Sequence, residues 1–347
     1  MKAAVHDEYG PPDKVLRVRE INRPVPGDGE VLVRVRAASM HPDIWHAVTG
    51  LPYASRLMSG GLRRPRVTIP GTDLAGEVVS IGTNVSRFKV GDPVFGEGVM
   101  KTLPGTELAI GSGRTFAEYA VAGEASLAHK PQNITFEQAA VVPTSGYVAL
   151  CALGSEDRLR GQHVLINGAG GCVGSLAVQI AKGGGARVTG VDRAEKLSML
   201  GSLGADLAID YSRADVLHRE ERYDLILDVP GTLSLVDTVR VLTATGTYCQ
   251  IGHGHYGKIG GRIFGAISGG SIPRTLAVAA RVVTNRHFST VKFNLFSKSR
   301  ALTTLRALLE SQQLAPIVAR AFSLDQVPAA LRCLEEGRAP GRIVVTP

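Results

Sequence analysis

Cysteine is scarce: Cys151, Cys172, Cys249 and Cys333 are the only four in a chain of 347 residues. None lies near another, which excludes a disulfide framework and a zinc-knuckle spacing. A cytoplasmic, reducing setting is therefore expected. Long apolar runs are missing as well, and no stretch reaches the roughly 18 uninterrupted apolar residues of a membrane span. The first twenty residues alternate apolar and charged side chains and lack the basic start and apolar run of a secretory signal. Aromatic residues make up only 5% of the chain. No aromatic-basic stacking pattern or recognition helix accompanies the arginine cluster Arg56, Arg63, Arg64 and Arg66, so no nucleic-acid partner is expected. That cluster, with a net charge of +8, reads instead as a solvated loop or as a positive field that draws in an anionic cofactor or substrate.

What is present suits a globular protein: 44% of residues are hydrophobic and 20% charged. The length predicts two domains, because single cores seldom grow past roughly 250–300 residues. Residues 1–127 read as β-rich, with strands at 31–36 and 76–81, a strand broken by a turn at 90–95, and little helical periodicity. An irregular barrel of antiparallel strands is expected there. From about residue 128 to 296, short apolar runs alternate with helical segments. Six strands, at 163–167, 187–191, 207–210, 223–228, 246–251 and 288–293, imply βαβ units and an α/β fold with a doubly wound parallel sheet. Residues 298–313 read as a helix, and 341–345 as a last strand that returns to the first domain, so that 297–347 joins 1–127.

The strongest local signal is Val164-Leu165-Ile166-Asn167-Gly168-Ala169-Gly170-Gly171-Cys172-Val173-Gly174. A buried strand runs into a glycine turn, and a helix follows with Val173, Leu176, Ala177, Ile180 and Ala181 on one face. Gly168 permits the sharp turn, Gly171 lets the backbone approach a pyrophosphate, and Gly174 lets the helix lie close to the strand. The helix N-terminus, beginning at Cys172, offers free N–H groups to phosphates. Glycines in this spacing, inside a βαβ unit, predict a dinucleotide cofactor. Asp192 ends the second strand, where an acid bonds the ribose hydroxyls and favours NADH. Arg193, Lys196 and Tyr211 lie nearby and suit the 2′-phosphate of NADPH. The two readings stay open.

These segments, together with Gly29-Glu30-Val31-Leu32-Val33, Ala37-Ala38-Ser39, Pro70-Gly71-Thr72-Asp73-Leu74-Ala75-Gly76, Lys89-Val90-Gly91-Asp92-Pro93-Val94 and Leu203-Gly204-Ala205-Asp206, resemble the medium-chain dehydrogenase/reductase superfamily. The resemblance covers nearly the whole chain and is closest to the zinc-free, quinone oxidoreductase-like branch. It implies a GroES-like, β-rich catalytic domain beside a Rossmann domain, with the active site between them. Zinc-dependent relatives carry ligands that would fall near His41, Thr72 and Val141. Only His41 is a usual zinc ligand, and no cysteine occurs between residues 95 and 125, so no metal is expected.

Without a Lewis acid, a conjugated acceptor is the expected substrate, because a hydride added to an enone or quinone leaves its charge on a delocalised oxygen. The resemblance places His41, Tyr53 and Thr144 in the cleft: His41 and Tyr53 as donors, Thr144 beside the nicotinamide. Asp43 is expected to orient the loop or support His41. Gly252 is expected to pass the nicotinamide, followed by His253 and His255 as solvent-facing loop residues. Cys172, at a helix start, reads as packing in the phosphate loop or as a reactive thiol. The readings left open are a metal-free alcohol or aldehyde oxidoreductase, an enoyl-thioester reductase, and a NAD(P)H-binding sensor or partner protein. Relatives commonly pair through the Rossmann sheet edge, which implies a homodimer with residues 269–286 near the contact.

Overall fold

The computed structural model describes residues 1–53, 56, 61–98, 113–252, 271–291 and 297–347. Fifteen strands are assigned among them. In the N-terminal part, β1 (Lys2–Val5) and β2 (Arg17–Glu20) form an antiparallel ribbon. Next come β3 (Glu30–Ser39), β4 (Asp73–Ile81), β5 (Pro93–Glu97), β6 (Tyr119–Gly123) and β7 (Leu127–His129). The expected strand at 90–95 begins only at Pro93. Gly91 adopts a left-handed φ of 95° and the Asp92 carboxylate accepts the Lys89 N–H at 3.0 Å, so residues before Pro93 close a turn. The helix Pro42–Thr49 was not legible in the hydrophobic pattern; Pro42 at its first turn and Gly50 with a φ of 63° at its end are the punctuation that bounds it.

The central region holds β8 (His163–Asn167), β9 (Arg187–Asp192), β10 (Leu207–Asp210), β11 (Tyr223–Asp228), β12 (Leu242–Gln250) and β13 (Phe288–Thr290). All pairs are parallel, in the order β10-β9-β8-β11-β12-β13. This is the doubly wound order, with its switch point between β8 and β11. Strand β12 starts earlier than the expected 246–251, and residues 292–293 of the expected sixth strand lie outside the described residues. Val164, Leu165 and Ile166 of β8 are fully buried, as a central parallel strand with both faces covered requires.

At the C-terminus, β14 (Val318–Ser323) and β15 (Arg342–Thr346) flank the helix Val327–Glu336. Strand β15 pairs antiparallel with β3, through Val344 opposite Ser39, and parallel with β14. The first sheet thus runs β14-β15-β3-β4-β5-β7, with β6 also on β3, and is not purely antiparallel. One apolar core reaches both sheets. Ala37, Ala75 and Phe95 pack in it with Tyr147 and Leu150 of the helix Pro143–Leu153, with its N-cap Val142, and with Ile166 and Leu176. That helix is the wedge that sets the first sheet against the phosphate loop.

Candidate active site and dinucleotide cradle

The helix Cys172–Gly183 starts directly after the glycine turn. Each of the three glycines has its own physical reason. Gly168 has a φ of 75°, and a Cβ there would lie 2.8 Å from Pro230. At Gly174 a Cβ would meet the Gly168 carbonyl oxygen at 2.2 Å and Ala169 Cα at 2.6 Å, so helix and strand touch backbone to backbone. A Cβ at Gly171 would meet only the Gly168 oxygen, at 3.4 Å. Apart from its chain neighbours, no other described residue comes within 4 Å of that Cβ position, so the space over Gly171 is one that a Cβ would fill. The first-turn amides of Cys172, Val173 and Gly174 precede any intrahelical acceptor and stand at the positive end of the helix dipole. A dinucleotide pyrophosphate fits this cradle. Cys172 is buried and its thiol donates to the Val141 carbonyl at 3.3 Å, which ties it into packing.

The C-terminal segment closes the other side of the loop. Gly341 N–H donates to the Gly170 carbonyl at 2.9 Å, and Gly341 bridges Gly171. The next residue, Arg342, is buried. Its guanidinium donates to the Met40 carbonyl at 3.0 Å and to the Ser145 hydroxyl, while its Nε–H has no partner among the described residues. A buried guanidinium lacking a carboxylate partner among these residues, one position from the glycine turn, calls for an anion. Sequence reading missed it; the signal was a basic residue opening an otherwise apolar strand.

Asp192 is buried rather than presented to solvent. It accepts the Gly170 N–H at 2.8 Å and the Arg193 N–H at 2.9 Å, and lies 3.3 Å from the Lys196 ammonium. Lys196 is also buried and reaches the Gly337 carbonyl at 3.3 Å, so it does not stand beside Arg193 as a free cation. Arg193 and Tyr211 do pair at the surface, with Nε donating to the phenol oxygen at 2.8 Å and Tyr211 half-exposed. Gly252 N–H donates to Val229 O at 2.8 Å, and a Cβ at Gly252 would stand 2.5 Å from that oxygen. His253 and His255 lie outside the described residues.

The polar cluster around His41 joins six elements. His41 is the N-cap of the helix Pro42–Thr49 and is buried. Its Nε2 lies 2.7 Å from Ser39 Oγ and 2.9 Å from Asp73 Oδ2. Asp73, fully buried at the start of β4, also accepts the Thr144 N–H at 3.0 Å and the Thr144 hydroxyl at 2.5 Å. Thr144 is in the first turn of the helix Pro143–Leu153, where its amide is free to donate outward. Burial pushes the Asp73 carboxyl up, but the His41 imidazole and the Thr144 donors outweigh it and hold it below the usual carboxylate range. Thr144 Oγ1 is 3.5 Å from Glu97, at the end of β5, and Glu97 accepts Lys298 Nζ at 2.6 Å. Burial pushes the Glu97 carboxyl up, the Lys298 ammonium opposes, and the Asp73 charge adds to the rise.

His41 and Thr144 are therefore brought together, through a carboxylate that sequence reading did not assign. Asp43, expected to support His41, is exposed on the first turn of its helix; the partner is Asp73. An acid opening an apolar strand was again the available signal. Tyr53 stands apart: it is 45% exposed, with the Arg56 guanidinium 4.5 Å over its ring, and no contact joins it to His41 among the described residues.

Two family models match the chain, the alcohol dehydrogenase GroES-like domain over residues 27–132 and the zinc-binding dehydrogenase over residues 203–345. A 2-methylene-furan-3-one reductase from Solanum lycopersicum is 32% identical over 353 residues, covering 100% of this chain and 79% of its own. The chain belongs to the medium-chain dehydrogenase/reductase superfamily. Another relative of this medium-chain reductase, the NADPH-dependent alkenal/one oxidoreductase of Arabidopsis thaliana, is 32% identical, with 100% and 80% covered. Among solved structures, the quinone oxidoreductase of Coxiella burnetii superposes with a TM-score of 0.78 at 26% identity, covering 100% of this chain and 99% of that one. Membership in the quinone oxidoreductase-like branch makes this chain an oxidoreductase. The donor set does not match the description of zinc binding in one family model. His41 Nε2 is committed to Ser39 and Asp73, the neighbouring positions are Thr72 and Val141, and no group of three His, Cys, Asp or Glu side chains is placed to hold a metal among the described residues.

Proposed function

We propose that this medium-chain reductase is a NAD(P)H-dependent, zinc-independent reductase of quinones or α,β-unsaturated carbonyl compounds. The observation that carries the reading is a cradle for a pyrophosphate beside a buried acid-base cluster that offers hydrogen-bond donors but no zinc ligand set. The residues that would hold the dinucleotide are Gly168, Gly171, the amides of Cys172, Val173 and Gly174, Arg342 on the phosphates, and Gly252 along the nicotinamide path. When bound, the reduced nicotinamide supplies a hydride. The chain's own residues exclude water, position the acceptor and handle the proton: His41, hydrogen-bonded to Asp73, donates to the reduced acceptor, and Thr144 fixes Asp73 from two sides. Tyr53 contributes a phenol at the rim. The relatives named for alkenal/one and quinone reduction support the acceptor class.

NADPH is the proposed cofactor. Asp192 is neutralised by Lys196 and turned toward Gly170, while Arg193 and Tyr211 present a cation and a hydroxyl at the surface, where a 2′-phosphate is attracted. The same reading assigns residues 1–127 with 297–347 to the catalytic domain and 128–296 to the Rossmann domain, although β7 carries the first sheet two residues further, to His129. It places the enzyme in the cytoplasm as a homodimer paired along the β13 edge, where residues 269 and 270 lie outside the described ones. No helix among the described residues is long and apolar enough to cross a membrane.

The test is a titration of purified protein with NADPH and NADH, followed by oxidation assays with quinones, enones and aldehydes before and after chelation. Tight NADPH binding with chelator-insensitive turnover of quinones or enones is the expected outcome. Binding without turnover would instead mark a sensor, and stoichiometric zinc lost with activity would overturn the proposed chemistry.

A further inference from the structure

The ion pair Glu97–Lys298 is not among the residues proposed to hold the dinucleotide, and it is built into the wall of the His41 cluster. Glu97 is 6% exposed and Lys298 reaches the surface with 29% of its side chain accessible. Two buried carboxylates, Asp73 and Glu97, share the single hydroxyl of Thr144, at 2.5 and 3.5 Å. A carboxylate buried as deeply as Glu97 is costly unless matched, and replacing a buried ion pair by apolar side chains is often neutral for stability. Their retention beside an acid-base residue points to an electrostatic duty.

We propose that Glu97 and Lys298 act as positioning residues that set the pH at which His41 gives up its proton. The inference rests on the reading of His41 as proton donor. The charges facing His41 are Asp73 from β4, Glu97 from β5, Lys298 from the helix Lys298–Glu310, and Arg342 from β15 through the Met40 carbonyl. On its own helix Asp43 is exposed and His46 Nδ1–H donates to the Leu51 carbonyl. Balanced, the four side chains Asp73, Glu97, His41 and Lys298 carry two negative and two positive charges. Removing the Glu97 carboxylate alone leaves an excess positive charge inside a low-dielectric wall, which disfavours the imidazolium. Removing Lys298 alone leaves the carboxylate to retain its charge or take up a proton, and neither disfavours the imidazolium.

The experiment is a pH titration of the cofactor-free full chain by NMR of ¹⁵N-labelled histidines, with the His41 signal identified by its loss in His41→Asn. In Glu97→Gln the His41 midpoint should fall by about one pH unit. In the double variant Glu97→Gln/Lys298→Met it should return close to the parent value. Lys298→Met alone should raise it or leave it unmoved. An unmoved midpoint in Glu97→Gln, a double variant as displaced as the single one, or a fall in Lys298→Met would each overturn the proposal. If Glu97→Gln does not fold, Glu97→Met takes its place, with the same fall expected and an unmoved midpoint overturning the proposal. A pH–rate profile of NADPH oxidation separates the two claims. A His41→Asn profile identical to the parent removes His41 as donor, while the NMR shifts still judge the ion pair.

Discussion

Substituting alanine at Gly171 and at Gly174 should break this enzyme in two different ways. The added Cβ is the same, but its surroundings differ. At Gly174 it would sit 2.2 Å from the Gly168 oxygen, more than 1 Å inside an ordinary contact, against backbone that has no rotamer to escape into. Overpacking of this kind costs about 1–3 kcal/mol. For a domain of this size about 2 kcal/mol corresponds to a fall of roughly 4–8 °C in Tm. At Gly171 the backbone has a φ of −81° and a ψ of 178°, which alanine adopts without strain, and the nearest atom is 3.4 Å away. The lower unfolded-state entropy of alanine contributes about 0.4–1 kcal/mol and its poorer N-capping offsets a similar amount, so Tm should hardly move. The methyl group, however, occupies the space through which a pyrophosphate reaches the helix amides. Dinucleotide affinity should fall on the order of 10–100-fold, equivalent to about 1.4–2.7 kcal/mol. Thermal unfolding without cofactor, paired with fluorescence titration of NADPH, reads both quantities. A Gly171→Ala protein that binds NADPH as tightly as the parent would refute the assignment of this loop as the phosphate seat.

Arg342→Met should weaken dinucleotide binding at least about tenfold, because a buried guanidinium is exchanged for an apolar chain beside the cradle; unchanged affinity in a titration of both dinucleotides would show that the charge serves another end. Asp73→Asn should destabilise by about 3–5 kcal/mol near neutral pH, since it breaks a buried pair. The pH dependence has a definite sign. The folded Asp73 carboxyl is held below the usual range, so its contribution is complete above the unfolded value and is lost as pH falls through the folded one. Urea midpoints followed toward acid pH should therefore decline more steeply in the parent than in Asp73→Asn. Thiol titration of the native protein at about pH 8 should modify Cys333, which is half-buried, and spare the three buried cysteines. The slowest should be Cys249, where burial pushes the thiol up to about 12 against the opposing charge of Arg158. Rapid modification of Cys249 in folded protein would contradict its packing.

Much of the fold was legible because local signals and tertiary structure agree over the Rossmann strands. Strands β8, β10 and β11 lie where runs of apolar residues between turn signals put them, and the glycine turn sits between a strand and a helix as its spacing requires. The helix Pro42–Thr49 was not legible, because six of its eight residues are buried and the pattern shows little periodicity. The site was only half legible. The resemblance named His41 and Thr144, whereas Asp73, Glu97 and Lys298 come from three separate elements and join them only when the sheets close.

From the residues alone, the chain determined the glycine turn between β8 and its helix, and the side chains His41, Thr72 and Val141 at three separate positions, since both depend only on which residues stand where. Tertiary structure decided the charges. It paired His41 with Asp73 rather than Asp43, and buried Arg342 with no carboxylate partner among the described residues. The physical reason is distance: a pyrophosphate loop is closed by neighbours along the chain, but an ion pair depends on which groups burial brings within a few ångströms, and no local pattern encodes that.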